Sequence, residues 1–240
     1  MTKFLLIRHG ETEWNRELIF RGRSDIPLSA VGRAQAAKLA AALAAEPIAA
    51  IYASPLSRAH DTAAAIAQGR NLAVIASPHL IDMNCGAWEG LSVAEVQARY
   101  PQEYEMWANH PDKLVLPGGE GIAAVRTRLR RGLRQWHKLH ENQTIALVTH
   151  RIVCKILLCE ILRLPNSAFW QIQQDLCALN VFANSGLPLV NPDSASSTGR
   201  LTRGCPRGLR THAKFGKYVL LKMNDTCHLR GIAGKPSVDF

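Results

Sequence analysis

Twice in this chain an apolar run that reads as a buried strand stops on a histidine. The first begins at Phe4 and ends in Arg8, His9 and Gly10; the second is Thr144 to Thr149, with His150 at its end and a helix expected over Ile152 to Leu162. Two further short runs, Ile48 to Ala53 and Leu72 to Ala76, are each followed by a polar candidate, Arg58 and Asp82. Strands alternating with helices predict an α/β fold. In open sheets of that kind, ligands bind beyond the carboxyl ends of the strands. The pattern therefore predicts two histidines, two arginines and a carboxyl group along one edge of one sheet.

The intervening segments read as helices and loops. Ser29 is the expected N-cap of a helix over Val31 to Ala45, and Ser54 with Pro55 the expected start of one that runs to about Gln68. Arg58 then falls on the first turn of that helix, where a cation opposes the helix dipole and invites an anion nearby. Short helices are expected over Ser92 to Tyr100, Tyr104 to His110 and Ser167 to Gln174, with Trp107 as a packing residue. From Ile122 to His140 apolar residues recur with a 3.6-residue period, and Arg126, Arg128, Arg130, Arg131 and Arg134 read as the solvated face. Two more strands are expected over Cys177 to Phe182 and Lys217 to Met223. The stretch 184–216 between them is rich in Gly, Pro, Ser and Arg, and reads as a mobile insertion within a single domain spanning 1–240.

Charge and composition exclude several partners. The net charge is +10, yet nine Lys/Arg against three acids lie from residue 184 onward, so the body of the chain is ordinary. No aromatic residues interleave with the arginine row of the long helix, so a nucleic-acid surface is not expected. No run approaches the roughly 20 apolar residues of a membrane span, and the N-terminus carries no cleavage pattern, which reads as cytoplasmic. The six cysteines form no Cys-x-x-Cys pair, so packed thiols are expected and neither a zinc site nor a cofactor. At this length nothing requires oligomerisation for folding, and a homodimer is left open.

Two arginines, two histidines and a carboxyl group suit phosphoryl transfer. Charge there spreads over three equatorial oxygens, and catalysis is mostly positioning and electrostatic stabilisation. Arg8 and Arg58 can grip those oxygens with forked donors, and a protonated His150 can add more. A neutral His9 can attack in line and carry the phosphoryl group until water releases it. Asp82 and Glu89, both in the glycine-punctuated loop after the third strand, are the candidate proton donors. The donor must hold its proton, which a neighbouring dianion favours.

Four motifs in order resemble the histidine phosphatase superfamily, also called phosphoglycerate mutase-like. They are Leu6-Ile7-Arg8-His9-Gly10-Glu11-Thr12-Glu13-Trp14-Asn15, Ser54-Pro55-Leu56-Ser57-Arg58-Ala59, Gly86-Ala87-Trp88-Glu89-Gly90 and Val148-Thr149-His150. The resemblance spans residues 3 to 183 and resumes at 217 to 229. It implies a three-layer α/β/α sandwich with a mostly parallel sheet, and no metal. It also implies His9 as nucleophile and Arg8, Arg58 and His150 as the phosphate pocket, with Asn15 and Arg21 approaching the phosphate. The family's proton donor is usually a Glu at the position of Asp82, and Glu89 matches a residue of the loop scaffold.

Within the family, the Asn84-Cys85-Gly86 loop resembles phosphatases more than phosphoglycerate mutases. Tyr100 to Tyr104, Pro117 to Glu120 and Phe169-Trp170 resemble metal-independent phosphoserine and α-ribazole phosphatases. The phosphoserine enzymes carry a His where Cys85 stands, so the substrate stays open among small phosphorylated metabolites, sugar phosphates included. A phosphoglycerate mutase and a catalytically weak phospho-ligand-binding protein are the alternatives.

Overall fold

The computed structural model describes residues 1–184 and 218–232. The chain begins with strand β1 (Lys3–Arg8), the short helix α1 (Glu13–Arg16) and helix α2 (Ala30–Ala42). β2 (Ile48–Ala53), α3 (Ser57–Ala67) and β3 (Val74–Ala76) follow. After a 3₁₀ turn at Pro78–Leu80 and another at Gly86–Trp88 come α4 (Val93–Arg99), α5 (Pro101–Asn109) and the long α6 (Ile122–Leu139). β4 (Thr144–Thr149), α7 (Arg151–Ile161), β5 (Leu179–Asn184) and β6 (Tyr218–Asp225) complete it.

Among the described residues six strands form one sheet in the order β3-β2-β4-β1-β5-β6. β3, β2, β4 and β1 are parallel, and β5 runs antiparallel to both β1 and β6. The two central strands, β1 and β4, are buried on both faces, which is why they read as unbroken apolar runs. Alternation then sends Phe4, Leu6, Ile145 and Leu147 into one core and Leu5, Ile7, Ala146 and Val148 into the other. α6 and α7 cover the first face through Val125, Leu129, Trp136, Val153 and Leu157. α2 and α3 cover the second through Leu39, Ala59, Ala63 and Ile66. This is the expected three-layer sandwich.

Ser29 caps α2 by accepting from the Gly32 amide at 3.0 Å, as its position predicts. Ser54 does not cap α3. That helix begins three residues later with Leu56 as its N-cap, and Ser54 Oγ is turned to the functional edge. Nor is the arginine row of α6 simply solvated. Arg126 is engaged with Glu160 and with Asn166 Oδ1 at 2.7 Å, and Arg128 donates to the carbonyls of His79 at 2.7 Å and Asp82 at 3.1 Å. The helix period marked both as polar but could not tell solvent from a neighbouring segment. β5 extends through Asn184, so that residue is strand; the rest of the 184–216 insertion lies outside the described residues. Among the described residues no helix is long and apolar enough to cross a membrane.

Candidate active site

β1, β2 and β4 all end at the same edge, and the residues just past them meet there. Arg8, His9, Ser54, Arg58 and His150 are each at most 1% exposed, so this is a cluster of charge and imidazole built into the interior. Burying such groups costs several kcal/mol unless each is paired. The pairings fix their chemistry.

His9 has its ring Nδ1 2.6 Å from the carbonyl oxygen of Gly10. A carbonyl only accepts, so Nδ1 carries the proton and Nε2 keeps its lone pair. Burial, followed by the charges of Arg58, Arg8 and Arg21, holds the His9 pKa well below its ordinary value. The ring is therefore neutral. Its backbone is held as firmly: the His9 amide donates to Thr149 O at 2.9 Å and the Gly10 amide to Thr62 Oγ1 at 3.1 Å. Thr62 in turn donates to Arg58 O at 2.8 Å, tying the His9 turn to α3. Gly10 must be glycine because a Cβ there would lie 2.6 Å from Gly32 O, where α2 crosses the turn.

His150 adopts the opposite tautomer. Arg58 Nε donates to its Nδ1 at 3.2 Å, and its Nε2 lies 2.7 Å from Ser54 Oγ. Burial, then Arg58 and His9, push its pKa well down, so His150 rests neutral rather than protonated as expected. The two imidazole rings lie 5.2 Å apart between centroids.

Arg58 spends its other donors on Ser24 O at 2.8 Å, Gly22 O at 2.9 Å and Asp82 Oδ2 at 3.2 Å. Arg8 is engaged through Nη1 with the carbonyl of Gln174. Gln174 and Asn180 hydrogen-bond each other through their side-chain amides, and both are fully buried.

Asp82 reaches the same place from the loop after β3. Its Oδ1 accepts from the Met83 amide at 2.9 Å, and its Oδ2 lies 3.5 Å from His150 Nδ1 as well as against Arg58. Glu89 serves the scaffold instead. It accepts from the Arg23 amide at 2.9 Å, the Cys85 amide at 3.1 Å and Ser24 Oγ at 3.3 Å, lacing the two loops together. Gly22, at φ +49°, leaves room for that carboxylate, since a Cβ there would fall 2.1 Å from Glu89 Oε1.

A cavity opens on His9, walled by Phe20, Arg21, Asp82, Cys85 and Arg151 among others. Arg58 and His150 contact Asp82 of this wall, and Arg8 precedes His9 in the chain. Asn15 sits at the start of α1, where its Oδ1 accepts from the Thr12 amide and hydroxyl, both at 2.9 Å. Cys85 is an inert thiol, its pKa raised by burial and then by Asp82 and Glu89. Among the described residues no three His, Cys, Asp or Glu side chains gather as a metal site would require.

Sequence reasoning did not single out Ser54, Thr62, Gln174 or Arg151 as parts of this site. Thr62 lies four residues after Arg58, on the same helical face, and Arg151 directly follows His150, so both had a positional signal. Gln174 had none, because what meets Arg8 is its backbone carbonyl, while its side chain is paired with Asn180.

The chain is 33% identical over 229 residues to phosphoserine phosphatase 1 of Hydrogenobacter thermophilus, covering 95% of each chain. It is 30% identical to the adenosylcobalamin/α-ribazole phosphatase of Escherichia coli, over 71% of this chain and 84% of the other. The solved phosphoserine phosphatase from Entamoeba histolytica, in complex with 3-phosphoglyceric acid, superposes with a TM-score of 0.76 at 26% identity, covering 95% of this chain and all of that one. Residues 4–186 match the family model described as histidine phosphatase superfamily (branch 1), and to that family of phosphatases this chain belongs.

Proposed function

We propose that the chain hydrolyses a small phosphomonoester in two steps through a phosphohistidine on His9, without a metal ion. The observation that carries this reading is the state of the His9 ring, neutral and with its proton held on Nδ1 by Gly10 O. That leaves Nε2 as a nucleophile that needs no base.

In the first step Nε2 forms a bond to phosphorus as the bond to the ester oxygen breaks. The leaving oxygen takes a proton from Asp82. The ring then carries positive charge, which the Nδ1–H···O bond to Gly10 and the phosphoryl oxygens offset. In the second step water attacks phosphorus and gives a proton to the Asp82 carboxylate, the P–N bond breaks, and neutral His9 and phosphate are regenerated. Arg8 and Arg58 stabilise the equatorial oxygens by their charge, and donate to them as the phosphoryl group takes over from their present carbonyl and carboxylate partners. His150 shares Arg58 and Asp82, so an arriving dianion can draw a proton onto it and turn Nδ1 into a further donor.

The test is phosphate release, with a chelator present, from O-phosphoserine, 3-phosphoglycerate, α-ribazole phosphate, sugar phosphates and an aryl phosphate. Release by the wild type and none by His9→Ala is the expected result. Movement of phosphate between glycerate positions without release would favour a mutase instead. Bound phosphate with neither reaction would favour a binding protein.

A further inference from the structure

Asp82 carries its carboxyl group directly on Cβ, so a single torsion places the carboxyl carbon and any shift of the backbone passes straight to the oxygens. Those oxygens are already tied, Oδ1 by the Met83 amide at 2.9 Å and Oδ2 by Arg58 Nη2 at 3.2 Å. What sets the reach of the carboxyl group toward the cavity is therefore the path of its backbone. That path has no ladder to hold it, because residues 81–85 belong to neither helix nor strand. Arg128 supplies the hold from outside. On α6 it is flanked by Val125 and Leu129, both fully buried, so its own backbone is anchored in the core. Its Nη1 donates to His79 O at 2.7 Å and its Nη2 to Asp82 O at 3.1 Å, and one planar guanidinium thus spans the loop from His79 to the acid. Arg23 Nε reaches the same Asp82 carbonyl at 3.5 Å. Glu120 keeps the two guanidinium groups together: its Oε2 lies 3.2 Å from Arg23 Nη2 and 3.7 Å from Arg128 Nη2, and accepts from the Asn84 amide at 2.9 Å. The residues that wall the cavity on His9 include Asp82 and not Arg128, so Arg128 meets the reaction through Asp82.

Resting on the phosphatase reading above, we propose that Arg128 is a positioning residue for the proton donor: by pinning the carbonyls of His79 and Asp82 to α6, it holds the Asp82 carboxyl group within reach of the ester oxygen. Its effect falls on the proton and not on the phosphoryl group. Proton transfer needs donor and acceptor within hydrogen-bond reach, and a displacement of about 1 Å costs on the order of 10²-fold in rate. Without Arg128 the loop keeps its ties at Leu80, where Thr149 Oγ1 donates at 2.6 Å, and at the Asn84 and Cys85 amides. The domain then stays folded while the Asp82 carboxyl group spreads over several positions.

The experiment measures kcat and KM for the wild type, Arg128→Met, Asp82→Asn and the double variant on two esters. One is the best alkyl phosphate of the panel above, whose leaving oxygen needs a proton; the other is nitrophenyl phosphate, whose leaving group departs as an anion. Arg128→Met should lower kcat on the alkyl ester by roughly ten- to a hundredfold, with KM and the nitrophenyl rate each within about threefold of wild type. In the Asp82→Asn background the same substitution should cost less than about threefold on either ester, since the group it positions is already gone. A merely structural role would lower both esters alike and add its loss to that of Asp82→Asn. Equal losses on the two esters in Arg128→Met, no loss on the alkyl ester, or a full further loss in the double variant overturns the proposal and leaves the phosphatase reading intact. Equal losses on the two esters in Asp82→Asn remove the donor and this proposal with it, while His9 keeps its role. Should Arg128→Met fail to fold, Arg128→Gln, too short to span the two carbonyls, is judged by the same outcomes. A wild type that hydrolyses neither ester means that the phosphatase reading has failed, and this proposal falls with it.

Discussion

Arg58 donates from Nε to Nδ1 of His150 at 3.2 Å, so His150 rests neutral beside a permanent cation. With His9 also held neutral, the site buries two imidazoles that the unfolded chain would protonate near pH 6.5. Below that value the unfolded state binds more protons than the folded one, so stability must fall as the pH drops. Each histidine adds up to about 1.4 kcal/mol per pH unit until its lowered folded-state pKa is reached. Urea titrations at pH 7.5, 6.5 and 5.5 should show this decline, and His150→Gln should show a shallower one. An equal slope in both proteins would mean that His150 is charged when folded.

Asp82 is held against Arg58 and His150 on its side-chain oxygens, while Arg128 fixes its backbone carbonyl at 3.1 Å. As proton donor it matters most for leaving groups that cannot depart as anions. Asp82→Asn should therefore lose roughly 10²- to 10⁴-fold on an alkyl phosphate and far less on nitrophenyl phosphate. Equal losses on both would assign Asp82 to binding.

Thr62 joins the two halves of the pocket, accepting from the Gly10 amide and donating to Arg58 O. Thr62→Val keeps the shape and strands a buried N–H, at a cost of about 1–3 kcal/mol read from the urea midpoint. Turnover should fall as well, because the His9 turn loses its tie to α3. Unchanged stability would show that the Gly10 amide has found another acceptor.

Gly32→Ala probes the same turn from the other side. A Cβ at Gly32 would lie 2.1 Å from Glu11 O, and backbone on both sides leaves nothing flexible to yield. A loss of about 1–3 kcal/mol is expected, with a lower Tm. Wild-type stability would mean that α2 can lift from the turn without penalty.

What could be read in advance was set by chain direction and period. The runs ending at His9 and His150 lie side by side as β1 and β4, in register from Lys3 with Thr144 to Arg8 with Thr149. A strand buried on both faces has no polar residues until it leaves the core, so its last residue marks the functional edge. Long-range hydrogen bonding left no such mark. Ser54 looked like a helix cap because a Ser-Pro pair is the usual start signal, but its hydroxyl is taken by His150, 96 residues away. Arg128 looked solvated because periodicity reports which face is polar and not what lies opposite it. The tautomers of the two histidines depend on Gly10 O and Arg58 Nε, contacts that only the folded turn creates.

The central claim is that phosphate passes through His9, and trapping it there is the most direct test. Wild-type enzyme mixed with a ³²P-labelled aryl phosphate and quenched within milliseconds in alkali should carry label that is stable to base and labile to acid. Peptide mapping should find it on His9, and His9→Ala should carry none. Label on another residue, or phosphate release by His9→Ala at the wild-type rate, would contradict the account.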